Sequence, residues 1–534
     1  MTTAWINGSI FTGTDTVEAL LTKGEQIVTV GTTEEILATS PEQVVDLQGK
    51  CVLPGFNDSH LHLHNLGKSL FDLSLAGVTS IDSLISRAKT YLETYPERCE
   101  KVLRGRGWNQ DYFEERRFPT REELDQISTD IPIAFVRVCG HVAVLNSKAF
   151  DVLGICADTP DPPGGVIEIK EGKLTGLLTE TALDLLKPFH ATLSEEDLRE
   201  QFRSAFALAV QHGVTSAQSN DLYFPDALAK WKLLCDMEEK GEIPLRITEQ
   251  LTLETPEDLD DFFAAAPQPA SSLLRVGPIK LLKDGSLGAR TALMLHDYAD
   301  APGERGTEAL SDASIERVLE WTQAHGRRLI VHVIGDGALE QVLDLFEKAE
   351  DPSLLGLVHC QISSSKQLDR IAKIGCFVMA QPIFLDYDLK ILEDRVGKEL
   401  ASTSYAFATL MRKGVSVSLG TDCPVEGLYP LPNLYCAIHR TDLHGKPEGG
   451  YHPEHAFTLE EAIRAYTVES ARQEGQAESK GKLMPGYLAD FVVLLHNPFE
   501  ENSENLLKNR VVMTVVGGET VFSDQTLKGA FSHA

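Results

Sequence analysis

His60, His62 and His64 stand at alternate positions in Phe56-Asn-Asp-Ser-His-Leu-His-Leu-His64. A period of two puts such residues on one face of a β-strand. A strand that aims several imidazoles one way is suited to holding a metal, because neutral imidazole is a good ligand for zinc and similar divalent ions. An isolated His-x-His is equally compatible with strand histidines facing water or a polar neighbour. Further ligand-type residues, however, close other strand-like runs. These runs are Ile279-Lys-Leu-Leu-Lys-Asp-Gly285, Leu329-Ile-Val-His-Val-Ile-Gly335, Gly356-Leu-Val-His-Cys360 and Val415-Ser-Val-Ser-Leu-Gly-Thr-Asp422.

The elements that must position these residues are legible in the same periodicities. Val52-Leu-Pro-Gly-Phe56 breaks on Pro54-Gly55 and then turns extended and apolar, as the first strand of a buried parallel sheet does. From about residue 200 to 480, amphipathic stretches such as 200–210, 315–321 and 368–374 alternate with short apolar strands, the pattern of βα units. Candidate strands are 56–62, 214–219, 245–251, 276–282, 328–333, 355–359, 376–380 and 415–421. Eight units predict a closed (β/α)8 TIM barrel, whose active site is built at the C-terminal ends of the strands. His60, His62, Lys280, His332, His359 and Asp422 are then the inward candidates.

The remaining segments divide the chain into five stretches. Residues 1–52 and 482–534 both carry short strands, and the two termini are expected to pair into one β-sandwich, the alternative being two separate hairpins. Residues 53–66 are the first barrel strand, and 200–481 the rest of the barrel. Residues 67–199 are far too many for a βα loop, so an inserted α+β subdomain is expected over the active site, where it could close the pocket and choose substrates.

At 534 residues the chain exceeds one ordinary core. Its 49 Lys and Arg against 79 Asp and Glu, a formal charge of −30, argue against nucleic acid and anionic membrane. The nine cysteines are scattered, without Cys-x-x-Cys, which fits reduced thiols better than a disulfide scaffold. There is no basic leader followed by an apolar stretch and no apolar run long enough to span a bilayer. A cytoplasmic enzyme acting on a small molecule is expected, a homodimer being the commonest default.

Six stretches together resemble the metal-dependent amidohydrolase superfamily, in the branch called YtcJ-like or amidohydrolase family 3. They are Pro54-Gly-Phe-Asn-Asp-Ser-His-Leu-His62, Gly140-His-Val-Ala-Val-Leu-Asn-Ser-Lys-Ala149, Asp284-Gly-Ser-Leu-Gly-Ala-Arg-Thr-Ala292, His332-Val-Ile-Gly-Asp336, Thr421-Asp-Cys-Pro-Val425 and Gly486-Tyr-Leu-Ala-Asp490. The resemblance runs nearly end to end. Two departures are Cys139, where Asp is expected before Gly-His, and Lys283, where a small residue is usual. Both could change substrate choice.

The resemblance implies a centre of one or two divalent ions, zinc in the first instance. His60, His62 and Asp422 would hold one ion and His332 and His359 the other. Lys280, neutral through burial, would capture carbon dioxide as a carbamate that bridges the two. The competing arrangement is a single metal with Lys280 or Lys283 as a plain cation near the substrate. A metal-bound hydroxide would attack the carbonyl, and Asp422 would take the proton from the water and deliver it to the departing nitrogen.

Weaker candidates surround this set. His64 is either a support behind the ligands or a residue that leaves the barrel. Trp108 and His141 could contact substrate from the subdomain or make a structural hydrogen bond inside it, and Arg290 could anchor an anion unless it pairs with Asp284. Cys423, next to the proposed base, has nothing nearby to mark it as a nucleophile. The expected function is cleavage of a non-peptide carbon–nitrogen bond of amide or formamide type. Its rivals are a mononuclear deaminase of a heterocycle and a catalytically inactive small-molecule-binding regulator.

Overall fold

Eight short runs, the later ones apolar and the first three rich in polar residues, form eight parallel strands in the computed structural model of the chain. The structure describes residues 1–137, 142–162, 165–190, 194–500, 503–524 and 531–533. The strands are Phe56–Leu61, Val214–Tyr223, Arg246–Thr252, Leu274–Leu282, Leu329–Val333, Leu355–His359, Phe377–Ala380 and Val417–Leu419, called strands one to eight below. Each pairs in parallel with the next in chain order.

All eight expected strands are found, with two differences of extent. Strand two continues to Tyr223 because its register shifts between Ser219 and Leu222, and an irregularity of that kind carries pairing past the point where simple alternation ends. Strand eight is shorter than expected, because Gly420 and Thr421 turn toward strand one. The ring closes there through Asp422 N donating to His60 O (2.8 Å) and His62 N donating to Cys423 O (2.7 Å). A Cβ on Gly420 would sit 2.7 Å from His60 N, so this approach requires glycine.

Helices of the expected kind follow the strands. Ser311 caps Asp312–Ala324, and Ser364 with Gln367 forms a capping box on Ser365–Ile374. Backbone contacts divide the chain into two compact units, 1–63 with 206–534, and 64–205.

In the first unit both termini build a sandwich. One sheet joins Phe531–His533 to Gln43–Asp46 and Thr2–Ile6, and the other joins Phe491–Leu494 to Cys51–Pro54. Trp5, Leu20, Val52, Phe491 and Val515 share its core, with Trp5 edge-on to Phe491 at 4.9 Å.

The second unit is a six-stranded mixed sheet with helices such as Ile81–Thr94 and Ser147–Leu153, including the hairpin Gly165–Lys170 with Lys173–Glu180. Among the described residues no helix is long and apolar enough to cross a membrane.

Candidate metal centre

The C-terminal ends of strands one, four, five, six and eight bring His60, His62, Lys280, His332, His359 and Asp422 to one end of the barrel. His60, His62 and Asp422 offer ligand atoms that all lie within 4.8 Å of one another. Asp422 Oδ1 is 3.1 Å from His62 Nε2 and 3.5 Å from His60 Nε2. The His359 ring lies 4.5 Å from that of His332 and 5.7 Å from that of His60, centroid to centroid.

The position of His359 depends on a local backbone feature. The register pairs His332 with Val358 and Val333 with His359, so simple alternation would put the two imidazoles on opposite faces. A left-handed φ of 72° at His359 turns its ring back toward His332. Asp422 is also left-handed, at φ 55°. Such conformations cost about 1–3 kcal/mol each in non-glycine residues and gather at functional sites.

Every one of the four imidazoles is held by a partner that can only accept. Gln250 donates its Nε2 to Ser59 O (3.0 Å), so its Oε1 faces His60 Nδ1 at 2.6 Å and that nitrogen carries the proton. Gln381 donates Nε2 to Met379 O (3.2 Å) and accepts from His359 Nδ1 at 2.8 Å. His62 Nδ1 donates to Asn220 O at 2.8 Å, and His332 Nε2 to Gly285 O at 3.0 Å. The ring nitrogens left for coordination are therefore Nε2 of His60, His62 and His359, and Nδ1 of His332. Metal-binding histidines are oriented in this way, the second ring nitrogen donating to a fixed acceptor.

Electrostatics point the same way. Burial, reinforced by Lys280, pushes His332 down to about 3, and burial likewise holds His60 and His359 well below the ordinary imidazole range. They are therefore neutral, the ligating form. Burial also pulls His62 down, but the hydrogen bond and charge of Asp422, with the charge of Asp221, outweigh it and raise the ring overall. The Asp422 carboxylate beside His62 Nε2, at 3.1 Å, is a second donor placed for a cation. Lys280 is 2% exposed, and burial brings its amine down to about 8 against the opposing charges of Asp422 and Asp284. A divalent ion fits this donor set of neutral imidazoles around a carboxylate.

Two buried carboxylates support the centre without joining it. Asp58 accepts from Thr421 N (3.1 Å), Thr421 Oγ1 (2.8 Å) and Tyr466 OH (3.1 Å), tying strand one to strand eight. Burial raises it to about 7. Asp284 accepts from Leu293 N, Ile334 N and Gly335 N, which fixes the turn whose Gly285 carbonyl holds His332. Burial raises it to about 6.

The sequence reading missed Gln250, Gln381, Asn220 and these two roles. The available signal was buried-strand amides, Gln218 on strand two and Gln250 on strand three, whereas Asn220 acts through its backbone carbonyl, which no residue type announces.

Several weaker candidates lie elsewhere. Trp108 is wholly buried in the core of the second unit, its Nε1 donating to Phe135 O at 3.0 Å, so it packs that core instead of meeting substrate. Lys283 does not face a pocket as a free cation. It is fully buried against Glu308, Asp312 (2.5 Å) and Leu310 O (3.1 Å). Arg290 pairs with Asp300 (2.8 and 3.0 Å) and not with Asp284, which leaves its guanidinium committed.

His64 leaves the barrel, its Nε2 meeting Gln201 Oε1 at 3.1 Å and its ring stacking on Phe202. Burial pushes the Cys423 thiol upward, the opposite of what a nucleophile needs. His141 and Cys139 lie outside the described residues.

The amidohydrolase family matches residues 43–522. The Bacillus subtilis protein YtcJ is 32% identical over 98% of this chain and 99% of its own length. An N-substituted formamide deformylase of Arthrobacter pascens is 27% identical over 94% of each chain. The crystal structure of an uncharacterized metal-dependent hydrolase from Pyrococcus horikoshii superimposes with a TM-score of 0.78 at 30% identity, covering 94% of this chain and 99% of that one. The chain belongs to the amidohydrolase family and is a hydrolase of carbon–nitrogen bonds other than peptide bonds.

Proposed function

We propose that this hydrolase cleaves an amide or formamide bond of a small molecule at a centre of two divalent ions, zinc being the expected metal. His60, His62 and Asp422 hold one ion, and His332, through Nδ1, and His359 hold the other. Lys280, as a carbamate, would supply an anionic oxygen donor to the centre. Its neutral amine, accessible because burial brings it to about 8, forms a bond to the carbon of carbon dioxide and loses a proton to solvent. The observation that carries the reading is the set of accept-only partners, which commits one nitrogen of each of four imidazoles and turns the other toward the centre, that of His62 toward Asp422. The name of the Arthrobacter pascens relative supports formamides among the substrates.

A bound divalent ion supplies Lewis acidity toward a carbonyl and brings the pKa of water to about 7. The protein's own part falls to Asp422, whose Oδ1 already lies in hydrogen-bond reach of His62. It takes the proton of the attacking water and returns it to the departing nitrogen. Burial keeps His60, His332 and His359 neutral, so these three rings add no competing positive charge. The eight cysteines among the described residues are all free thiols, which supports a reducing, cytoplasmic setting.

A one-ion centre at His60, His62 and Asp422 is the second reading, favoured by the tight clustering of those three ligand atoms. Elemental analysis of freshly purified protein separates the two. About two ions per chain, falling toward one in Lys280→Ala, supports the bridged centre, whereas one ion unaffected by that change establishes the mononuclear form. Asp422→Asn should abolish turnover of an amide and formamide panel. Retained turnover would remove Asp422 from its role.

A further inference from the structure

We propose that Leu282 determines specificity at this centre and that the substrate carries an uncharged apolar arm beside the carbonyl. The inference rests on the hydrolase reading and extends it to a substrate class. Strand four pairs with strand five in a register that sets Leu282 opposite His332 and Lys280 opposite Ile330. Residues directly opposite in a sheet share a face, and residues two apart on a strand do too. Leu282 is therefore on the face that carries both Lys280 and His332. Its neighbour Leu281, on the other face, is fully buried, whereas Leu282 is 37% exposed.

Barrel interiors are normally filled with packed side chains. A leucine 37% exposed on the strand face of an imidazole of the centre is apolar surface left partly bare among the described residues. Singly exposed apolar residues on an outer surface need no explanation, but this one stands on a barrel strand within the site.

Three further exposed apolar residues lie in connections that follow strand ends. Phe224 comes directly after strand two, Leu295 lies in the connection after strand four, and Val425 is three residues beyond Asp422. Small-molecule sites are lined in this way, with apolar walls and a few polar groups that fix orientation. The nearby cations do not offer an anion anchor, since Lys283 and Arg290 are both committed to carboxylates. Glu426, four residues past Asp422, adds an acid to this end of the barrel.

Calorimetric titration of the metal-loaded protein with hydroxamates tests this without knowledge of the natural substrate. Acetohydroxamate, hexanohydroxamate and the monohydroxamate of adipic acid share a metal-seeking head and differ in the tail. The hexano tail should tighten binding roughly ten-fold or more over acetohydroxamate, the worth of one or two well-buried methylenes. The carboxylate tail should lose that gain. Leu282→Ser should remove the hexano gain while leaving acetohydroxamate within about two-fold, and Leu282→Phe, which fills the space and keeps an apolar residue, should also weaken the longer tail. Equal affinity for all three compounds, or a tail preference that survives both substitutions, would overturn the inference and leave the hydrolase reading intact. If no hydroxamate binds the metal-loaded protein, the metal-centre reading itself falls and takes this inference with it.

Discussion

Replacing Gln250 by leucine should weaken metal binding at His60 without dismantling the barrel. Gln250 is fully buried and makes two bonds, accepting from His60 Nδ1 at 2.6 Å and donating to Ser59 O at 3.0 Å. Leucine has similar bulk and neither bond, so His60 Nδ1–H is left without its acceptor in a dry environment. That leaves the ring two poor options: a buried unsatisfied donor, costing about 1–3 kcal/mol, or rotation away from the centre. Losing such a partner typically costs 10–100-fold in metal affinity, which is about 1.4–2.7 kcal/mol.

Gln250→Glu restores an acceptor at the same position and should recover most of the affinity, although it gives up the bond to Ser59 O. Competition with a chromogenic chelator measures the affinity, and urea denaturation of the metal-free protein measures the stability term separately. Gln381→Leu performs the same operation on His359. In a two-ion centre each substitution weakens one ion, whereas a one-ion centre at His60, His62 and Asp422 responds only to Gln250→Leu. Wild-type affinity within two-fold in Gln250→Leu, with metal-free stability unchanged, would refute the argument that this bond orients His60.

Two further expectations concern the frame around the centre. Arg246 and Asp490 are buried and bonded at 2.7 and 3.2 Å, with Gly517 N also donating to Asp490, so Asp490→Ala should cost about 3–5 kcal/mol in urea denaturation. A loss below about 1 kcal/mol would show that water screens this pair. Glu426 is raised to about 7 by burial first and by the charges of Asp386 and Asp388 next, with Lys390 opposing. Its folded value lies above the unfolded one, so the stability it contributes is complete below about pH 4.5 and is lost as pH rises through 7. Glu426→Gln should therefore stabilise the fold at pH 8 but not at pH 4, by roughly 1 kcal/mol once solvent screening is allowed for, read by urea denaturation at the two pH values. A gain equal at both pH values would place the effect in packing instead.

The barrel was legible because a parallel strand covered on both faces reads as a short apolar run between turn signals, the form of strands five to eight, while strands one to three carry many polar residues and were placed by the spacing of the units. The ligand-type residues were legible because they interrupt those runs at their C-terminal ends, where apolar packing gives them no reason to be. The partners of those residues were hidden by a different kind of dependence. Gln250 meets His60 across 190 residues of chain, and only the register of strands one to three brings them together. Lys283 looks like a pocket cation in isolation, but its carboxylates arrive 25 and 29 residues later, on the connection that follows it. Trp108 suited a substrate contact or a hydrogen bond inside its own subdomain equally well by residue type, and its Nε1 makes the second, to Phe135 O at 3.0 Å. The register shifts between Arg106 and Trp108, with Gly107 at φ 100°, and one extra residue is enough to change the face on which a side chain lies. His359 makes the same point in the opposite sense. Alternation alone sends its ring to the wrong face, and a single left-handed residue returns it to the centre. Period-two reasoning thus finds which residues are available for chemistry, while bulges and left-handed residues at strand ends decide which of them meet. These are the backbone positions at which a change of one residue should cost the centre a ligand while leaving the sheet intact.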